Sequence, residues 1–494
     1  YDRAARPSEH TTPLARFSKT RLRLPTNASP ELTAFAEARC EILSDDMCLP
    51  TSMGIADDVV VVIGAGGWKQ RSPTLLIERL DRVSTGYAPF GTLHPGVGLA
   101  EVANELCLDS SRKLMYVADS SRVKSYAWNY DGEDGTTLPV HTLDSHGFED
   151  ALFLRNNGAK IMRSGTKGLA IWDIDGLPTH GEDGEDRVGK KLKNIDTMRD
   201  DDEAEEIERS SGAPPTQTLS APPITRITVA KNHPSNQAQI LAMHRSVFGR
   251  DYNVVSVDLE TQQIAMRFLG HSASPSCIAT NSTDPNGFVT AAFDGGVRLY
   301  DVRQPTPRFA IDHGDEKLCT ALYESIGGQP FIIYGTDKSE QIKVWDVRSR
   351  KPMYELATGN TAVRSLAWDA RRQTLLAATE CIYRDRVGNV HDYRPAKIGS
   401  HGREWLGDGD AHGEHEGEDK DEDWEDEDED EDEDDEDDEE RWWPDRAWHA
   451  ETSFGVALDC ADHMLFRYQF KSDADPKVLP EYGQAGASLA DSYW

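Results

Sequence analysis

The sequence has 494 residues, with 53 Lys and Arg against 87 Asp and Glu, a formal net charge of -34 and 38% hydrophobic residues. That length lies beyond the range of one simple hydrophobic core, so it implies several domains or a repeat architecture, and the apolar content excludes a wholly disordered chain. Residues 401–440 hold 26 acidic and 2 basic side chains and residues 181–209 hold 12 and 6, which concentrates the charge in two segments and leaves an ordinary globular balance elsewhere.

Residues 1–28 carry Arg3, Arg6, Arg16, Lys19, Arg21 and Arg23 against only Asp2 and Glu9, and predict a disordered basic tail. Residues 29–54 predict a short helical extension: Ser29 suits an N-cap, Pro30 the first helical position and Glu31 the first turn. The apolar run at 59–63 is five residues long, far below the roughly 20 that span a bilayer, so a soluble protein is expected. Its continuation, Gly64-Ala65-Gly66-Gly67, imitates a dinucleotide-binding loop. Lys69 stands where a third glycine is required and Pro73 breaks the helix that must follow, so a strand ending in a glycine turn is the better reading. The seven cysteines, at 40, 48, 107, 277, 319, 381 and 460, form no CxxC pair. They argue against a disulfide framework or zinc knuckle and favour a reducing compartment, the nucleus or cytoplasm.

Over residues 55–471 one pattern recurs: an apolar run, a tight turn containing Asp or Gly, and a second run ending in an aromatic residue and Asp. Residues 160–173 end in Trp172-Asp173; residues 287–301 carry Asp294 in the turn and end in Tyr300-Asp301; residues 332–346 carry Asp337 and end in Trp345-Asp346. Anchors read at Trp128, Trp172, Val257, Tyr300, Trp345, His391 and Tyr468 are spaced by 44, 85, 43, 45, 46 and 77 residues. The two long gaps coincide with the acidic segments, which predicts disordered insertions between units at about 181–221 and 401–440. A unit of this length with β runs and no amphipathic helix cannot bury both faces alone, and stacked copies solve that problem.

The Trp-Asp and Tyr-Asp dipeptides, with Gly270-His271 opening a unit, resemble the WD40 family in degenerate form. The resemblance implies an all-β fold, a seven-bladed β-propeller with a short N-terminal helix, followed by a C-terminal tail at 472–494. A ring leaves fewest open strand edges if its first and last segments share a blade. The runs at 59–63 and 75–80 are therefore expected to meet those at 453–458 and 464–470.

No nucleophile elbow, His-Glu-x-x-His or phosphate loop is present, and His401, His412 and His415 lie in a loop too polar to fix metal geometry. No enzyme activity, cofactor or metal is expected, and a scaffold that binds other proteins is the primary reading. Arg303, Arg348 and Arg394 each follow an anchor Asp by two residues, which predicts a basic arc on one rim. These motifs resemble those of propeller substrate receptors of the cullin-4 ubiquitin ligase, and imply that Arg303 and Arg348, with Arg394 as a looser match, contact its adaptor. Residues 421–440 are acidic at 19 of 20 positions, broken by Trp424 and followed by Trp442 and Trp443. Such a tract suits a basic nuclear or ribosomal partner, with the tryptophans as cation-π anchors, and an escort role is the second alternative. It is also expected to leave the ring beside the arginines and to mask them. Direct nucleic-acid binding is disfavoured for want of a basic surface, and no membrane partner is expected.

Overall fold

A computed structural model describes residues 15–17, 24–80, 96–128, 138–219 except 157, 194, 196 and 200–203, 226–245, 252–395 except 315 and 390, 442–444 and 462–474. Seven antiparallel sheets follow one another along the chain. Their first strands, Leu49–Ala56, Glu105–Asp109, Leu152–Arg155, Arg226–Asn232, Pro275–Asn281, Ala321–Ile326 and Ala362–Asp369, each contact the next, and the seventh returns to the first. The molecule is a seven-bladed β-propeller. We number the blades 1 to 7 in that order and letter their strands a to d outward from the axis.

The strands form where the sequence supplies apolar runs buried on both sides. Strand b of blade 1, Val59–Gly66, is buried along its whole length, and the b strands Leu114–Ala118 and Lys160–Gly165 are nearly so. Blade-to-blade packing then uses alternate side chains: Val60 and Val62 face Leu376, Ala378 and Leu465 of blade 7, whereas Val61 and Ile63 face Met115 and Val117 of blade 2. Period-two alternation sends neighbouring residues to opposite faces, so one strand seals two interfaces.

Closure differs from the expectation. The partners of His463–Phe470 in blade 7 are Thr374–Glu380 on one side and Cys40–Met47 on the other, in register from Cys40 opposite Phe470 to Met47 opposite His463. The runs at 59–63 and 75–80 belong to blade 1 instead, and residues 453–458 lie outside the described residues. Residues 29–54 accordingly hold more than a helix. Helix Pro30–Ala36 has Ser29 Oγ accepting from Leu32 N at 3.2 Å. The chain then turns through Ala38, at φ 48°, into Cys40–Met47 and Leu49–Ala56. Cys40 and Ile42 face the core while Glu41 and Leu43 are only half covered, an alternation hidden in the sequence by the short Asp-rich stretch that follows. Residues 15–17 are not tail either: Ala15–Phe17 pairs with Lys351–Ala357 as a fifth strand on blade 6.

The helix is held by Leu32 and Phe35, both fully buried. Phe35 meets Phe331, Trp368 and Phe470 edge to face, with ring centroids 5.0, 5.4 and 4.9 Å away. Gly327, in the a–b turn of blade 6 at φ 55°, lies so close to Leu32 that a Cβ there would be 2.6 Å from the leucine side chain. Glycine is required both by conformation and by contact.

Both acidic segments fall inside blades, not between them. The first joins strand c of blade 3, Gly168–Asp173, to its short strand d, Gln217–Leu219. Much of it is ordered, which corrects the expectation of a disordered insertion: Val188, Ile207, Ser210 and Ala213 are buried, and Ala213 bridges Leu143 at the outer edge of blade 2. Arg122 donates to Glu208 O at 2.7 Å and Ser210 O at 3.1 Å, and Lys124 pairs with Glu208 at 2.9 Å. Alternating Val188, Ile207 and Ala213 among the charges supply just enough apolar surface to dock the segment. The second segment joins strands b and c of blade 7, leaving after Glu380 and returning at His463. Tyr468, paired with Leu375, is therefore the anchor of blade 7, and His391 lies in the insertion. In blade 2 the anchor is Tyr126, three pairs from the end of the b–c ladder like Tyr300 and Trp345, and Trp128 follows the strand. Among the described residues no helix is long and apolar enough to cross a membrane.

Candidate interaction surfaces

Antiparallel blades present two faces, one made by the a–b and c–d turns and the other by the b–c turns. Asp301 and Asp346 close strand c of blades 5 and 6 on the first face. Each carboxylate is buried and accepts from the guanidinium two residues on: Arg303 Nε and Nη2 lie 2.8 and 2.6 Å from Asp301, and Arg348 Nε and Nη2 lie 3.1 and 2.6 Å from Asp346. The backbone N–H groups of Arg303 and Arg348 add bonds of 3.0 and 2.8 Å. The Arg303 side chain beside Asp301 holds that carboxyl down to about 2. One edge of each guanidinium is thus committed to its own strand end, and the other faces outward, with 68% of the Arg303 and 36% of the Arg348 side chain exposed.

Arg394 does not complete an arc. It lies in Tyr393–Pro395, a strand that pairs with Trp442–Pro444 within the blade 7 insertion. The Asp-x-Arg spacing there arises away from any blade strand c, which spacing alone could not reveal. Trp442 and Trp443 are placed on the partner strand, and Trp424 lies outside the described residues. The insertion leaves from the b–c face, opposite Arg303 and Arg348 and not beside them as expected, and the tract 421–440 itself lies outside the described residues.

The repeat residues serve the blades from within. In blade 5, His271 Nε2 lies 2.6 Å from Thr290 Oγ1 and Nδ1 lies 3.2 Å from Asp294, which also accepts from Ser272 N at 2.7 Å and Gly296 N at 2.9 Å. These bonds hold the Asp294 carboxyl well below its ordinary range despite burial, and burial pushes the His271 imidazole down. Tyr300 Oη donates to Leu269 O at 2.9 Å, next to Gly270, whose φ is 133°. Trp172 Nε1 donates to Ala213 O of the first insertion at 3.1 Å, while Asp173 is exposed and pairs with Lys160 at 3.2 Å. Trp345 Nε1 donates to Tyr334 Oη at 3.0 Å, and Asp337 pairs with Arg364 of blade 7 at 2.9 Å.

On the b–c face the axis opens into a cavity of about 720 Å³ lined by Pro50, Val229, Pro275, Phe293, Arg364 and Glu380 among others. Phe293 is half exposed there. Arg364 is already satisfied by Asp337, Glu380 and the Cys319 sulfur, so the wall mixes apolar residues with the hydroxyls of Thr51, Thr228, Tyr252, Ser274 and Ser276 and a neutralised charge cluster at one side. The sequence does not mark these residues; they become neighbours only when blades 1, 4, 5, 6 and 7 converge. Among the described residues no group of three or more His, Cys, Asp or Glu is placed to hold a metal ion.

Comparison with known proteins gives partial matches. The chain is 29% identical to the coatomer subunit beta'-2 of Arabidopsis thaliana over 83 residues, 17% of this chain and 9% of that protein. It is 27% identical to the DENN domain and WD repeat-containing protein SCD1 of Arabidopsis thaliana over 109 residues, 22% of this chain and 9% of that protein. The aligned region thus spans about a tenth of the length of these relatives. No family model matches the chain. The crystal structure of the WD40 beta propeller domain of Doa1 superposes with a TM-score of 0.46 at 12% identity, covering 68% of this chain and 93% of that one.

Proposed function

We propose that this chain, a WD40-repeat β-propeller, works as a non-catalytic platform that holds other proteins on its rims, within the nucleus or cytoplasm. A rigid ring of seven interlocked sheets provides fixed surfaces, and its two faces differ in chemistry. The observation that carries the reading is the pair Arg303 and Arg348. Buried Asp301 and Asp346 fix each guanidinium at the same strand-end position of two neighbouring blades, and the outward edges stay available. A planar donor held this way loses little entropy on meeting a carboxylate. The finer form of the proposal is docking to a ubiquitin-ligase adaptor through these two residues.

The acidic tract supports a second reading, escort of basic proteins. Residues 421–440 carry 19 carboxylates and Trp424, with Trp442 and Trp443 on a strand a short distance on. A polyanion of this density attracts histone-like or ribosomal surfaces over a Debye length of about 8 Å at physiological salt.

Affinity capture from cell extract separates the two. We compare the intact chain with Arg303→Glu/Arg348→Glu and with a chain whose residues 421–440 are replaced by a Gly/Ser linker. Loss of an adaptor from the first variant alone supports the rim reading, and loss of basic proteins from the second alone supports escort. An unchanged captured set in both variants defeats both finer readings.

A further inference from the structure

We infer that the b–c turn of blade 1, built from Trp68, Lys69 and Arg71, is the docking point for the chain's own acidic tract, residues 421–440. The turn joins Val59–Gly66 to Ser72–Arg79. It displays an indole that is half exposed, with Lys69 Nζ 3.8 Å and Arg71 Cζ 5.1 Å from its ring centroid. Gly67, Lys69 and Gln70 all adopt positive φ, at 65°, 59° and 54°. Two consecutive non-glycine residues in the left-handed region are costly, and here they hold both cations against the same ring. Arg71 also donates to Met198 O of the first insertion at 3.1 Å, and the Met198 side chain beside it is exposed. Neither Lys69 nor Arg71 has a carboxylate partner among the described residues. In a chain with a net charge of -34, two uncompensated cations on an exposed aromatic form a surface that invites an anion with an apolar side chain.

Position selects the occupant. Arg372 of blade 7 donates to Asp57 O of blade 1 at 3.1 Å, which places the a–b turns of these neighbouring blades together. Their b–c connections therefore emerge together on the opposite face. One is the Trp68 turn, and the other is the insertion that leaves at Glu380 and returns at His463. Residues 396–420 link the strand Tyr393–Pro395 to the tract, a contour of up to roughly 85 Å, so reach is no obstacle. Tethering supplies an effective concentration of order mM, and 19 carboxylates in 20 positions give many equivalent ways to satisfy two cations. Trp424 can stack beside Trp68 and Met198. An acidic segment of another protein has the same charge but must compete with this tethered one. The inference is independent of the Arg303 rim; it uses the same tract as the escort reading, so a basic partner would have to compete with the Trp68 turn for it.

The test uses the full chain and a labelled 20-residue peptide with the sequence of residues 421–440. In the chain whose tract is replaced by a Gly/Ser linker, the peptide is expected to bind at least tenfold more tightly than in the intact chain. Adding Lys69→Glu and Arg71→Glu to the linker chain is expected to remove at least that gain, with little change in melting temperature because both side chains are only partly buried, outside the core. Carbodiimide treatment of the unaltered chain at low salt is expected to join Lys69 to carboxylates of 421–440, and 1 M salt to suppress that link. Equal peptide affinity for intact and linker chains overturns the inference. So does binding that survives the double charge reversal, which would place the tract on other cations such as those of residues 1–25.

Discussion

Glu340 shows how far a single side chain can be forced by its place in the ring. It sits in the b–c turn of blade 6, fully buried at φ 51°. Burial, helped by Asp337 and Glu316, pushes its carboxyl up to about 8 against a bond with Tyr383. A carboxyl raised above its unfolded value of 4.5 contributes stability that is complete below that value and is lost as pH rises through about 8. The natural chain should therefore lose roughly 1–3 kcal/mol more stability between pH 5 and pH 9 than Glu340→Gln does, as measured by urea unfolding at each pH. Identical pH profiles would show that Glu340 is solvated. Phe35 makes the complementary apolar point: Phe35→Ala removes the ring shared by Phe331, Trp368 and Phe470 and should cost about 3–5 kcal/mol, read from the same unfolding curves.

At the level of elements, the first insertion behaves as a clasp across blades 2 and 3. Glu208 pairs with Lys124, whose ammonium is pushed down to about 8 by burial. Glu208→Ala leaves that ammonium buried without its carboxylate, which should cost about 1–3 kcal/mol given the partial exposure of Glu208. Limited proteolysis should then cut within residues 182–206 faster than in the natural chain, and an unchanged cutting rate would mean that the backbone bonds to Arg122 suffice. This element also marks what the sequence could express. Trp172, Tyr300 and Trp345 announced three c strands because aromatic-Asp pairs end a strand in a recognisable way. Cys40–Met47 was illegible, since Ser44-Asp45-Asp46 reads as a turn until Asp45 is seen paired with Leu465, with the Arg467 cation acting on it from two residues along that strand. Val188 and Ile207 were likewise hidden by the charges around them, and only contact with blade 2 gives them a role. Arg394 matched a spacing without matching a place.

For the molecule as a whole, the blade count was legible because spacing near 44 residues survives degeneration of individual motifs, whereas the cavity lining was not, because it is assembled from five blades distant in sequence. The ring depends on its last pairing. Removing residues 1–47 takes away the outer strand of blade 7 together with Phe35. It should lower the melting temperature and broaden the transition, and a sharp, unshifted melt would show that blade 7 holds with three strands.

Joining Cys40–Met47 to His463–Phe470 also sets a timetable. During synthesis at roughly 5–20 residues per second, the early strand waits on the order of 20–80 s before its mate is made. Six blades can form in that interval, but the strand that will lock them stays unpaired with its backbone donors and acceptors open to other chains. Folding is thus gated by the ribosome, and the hazard of the design is greatest in the period before residue 470 emerges.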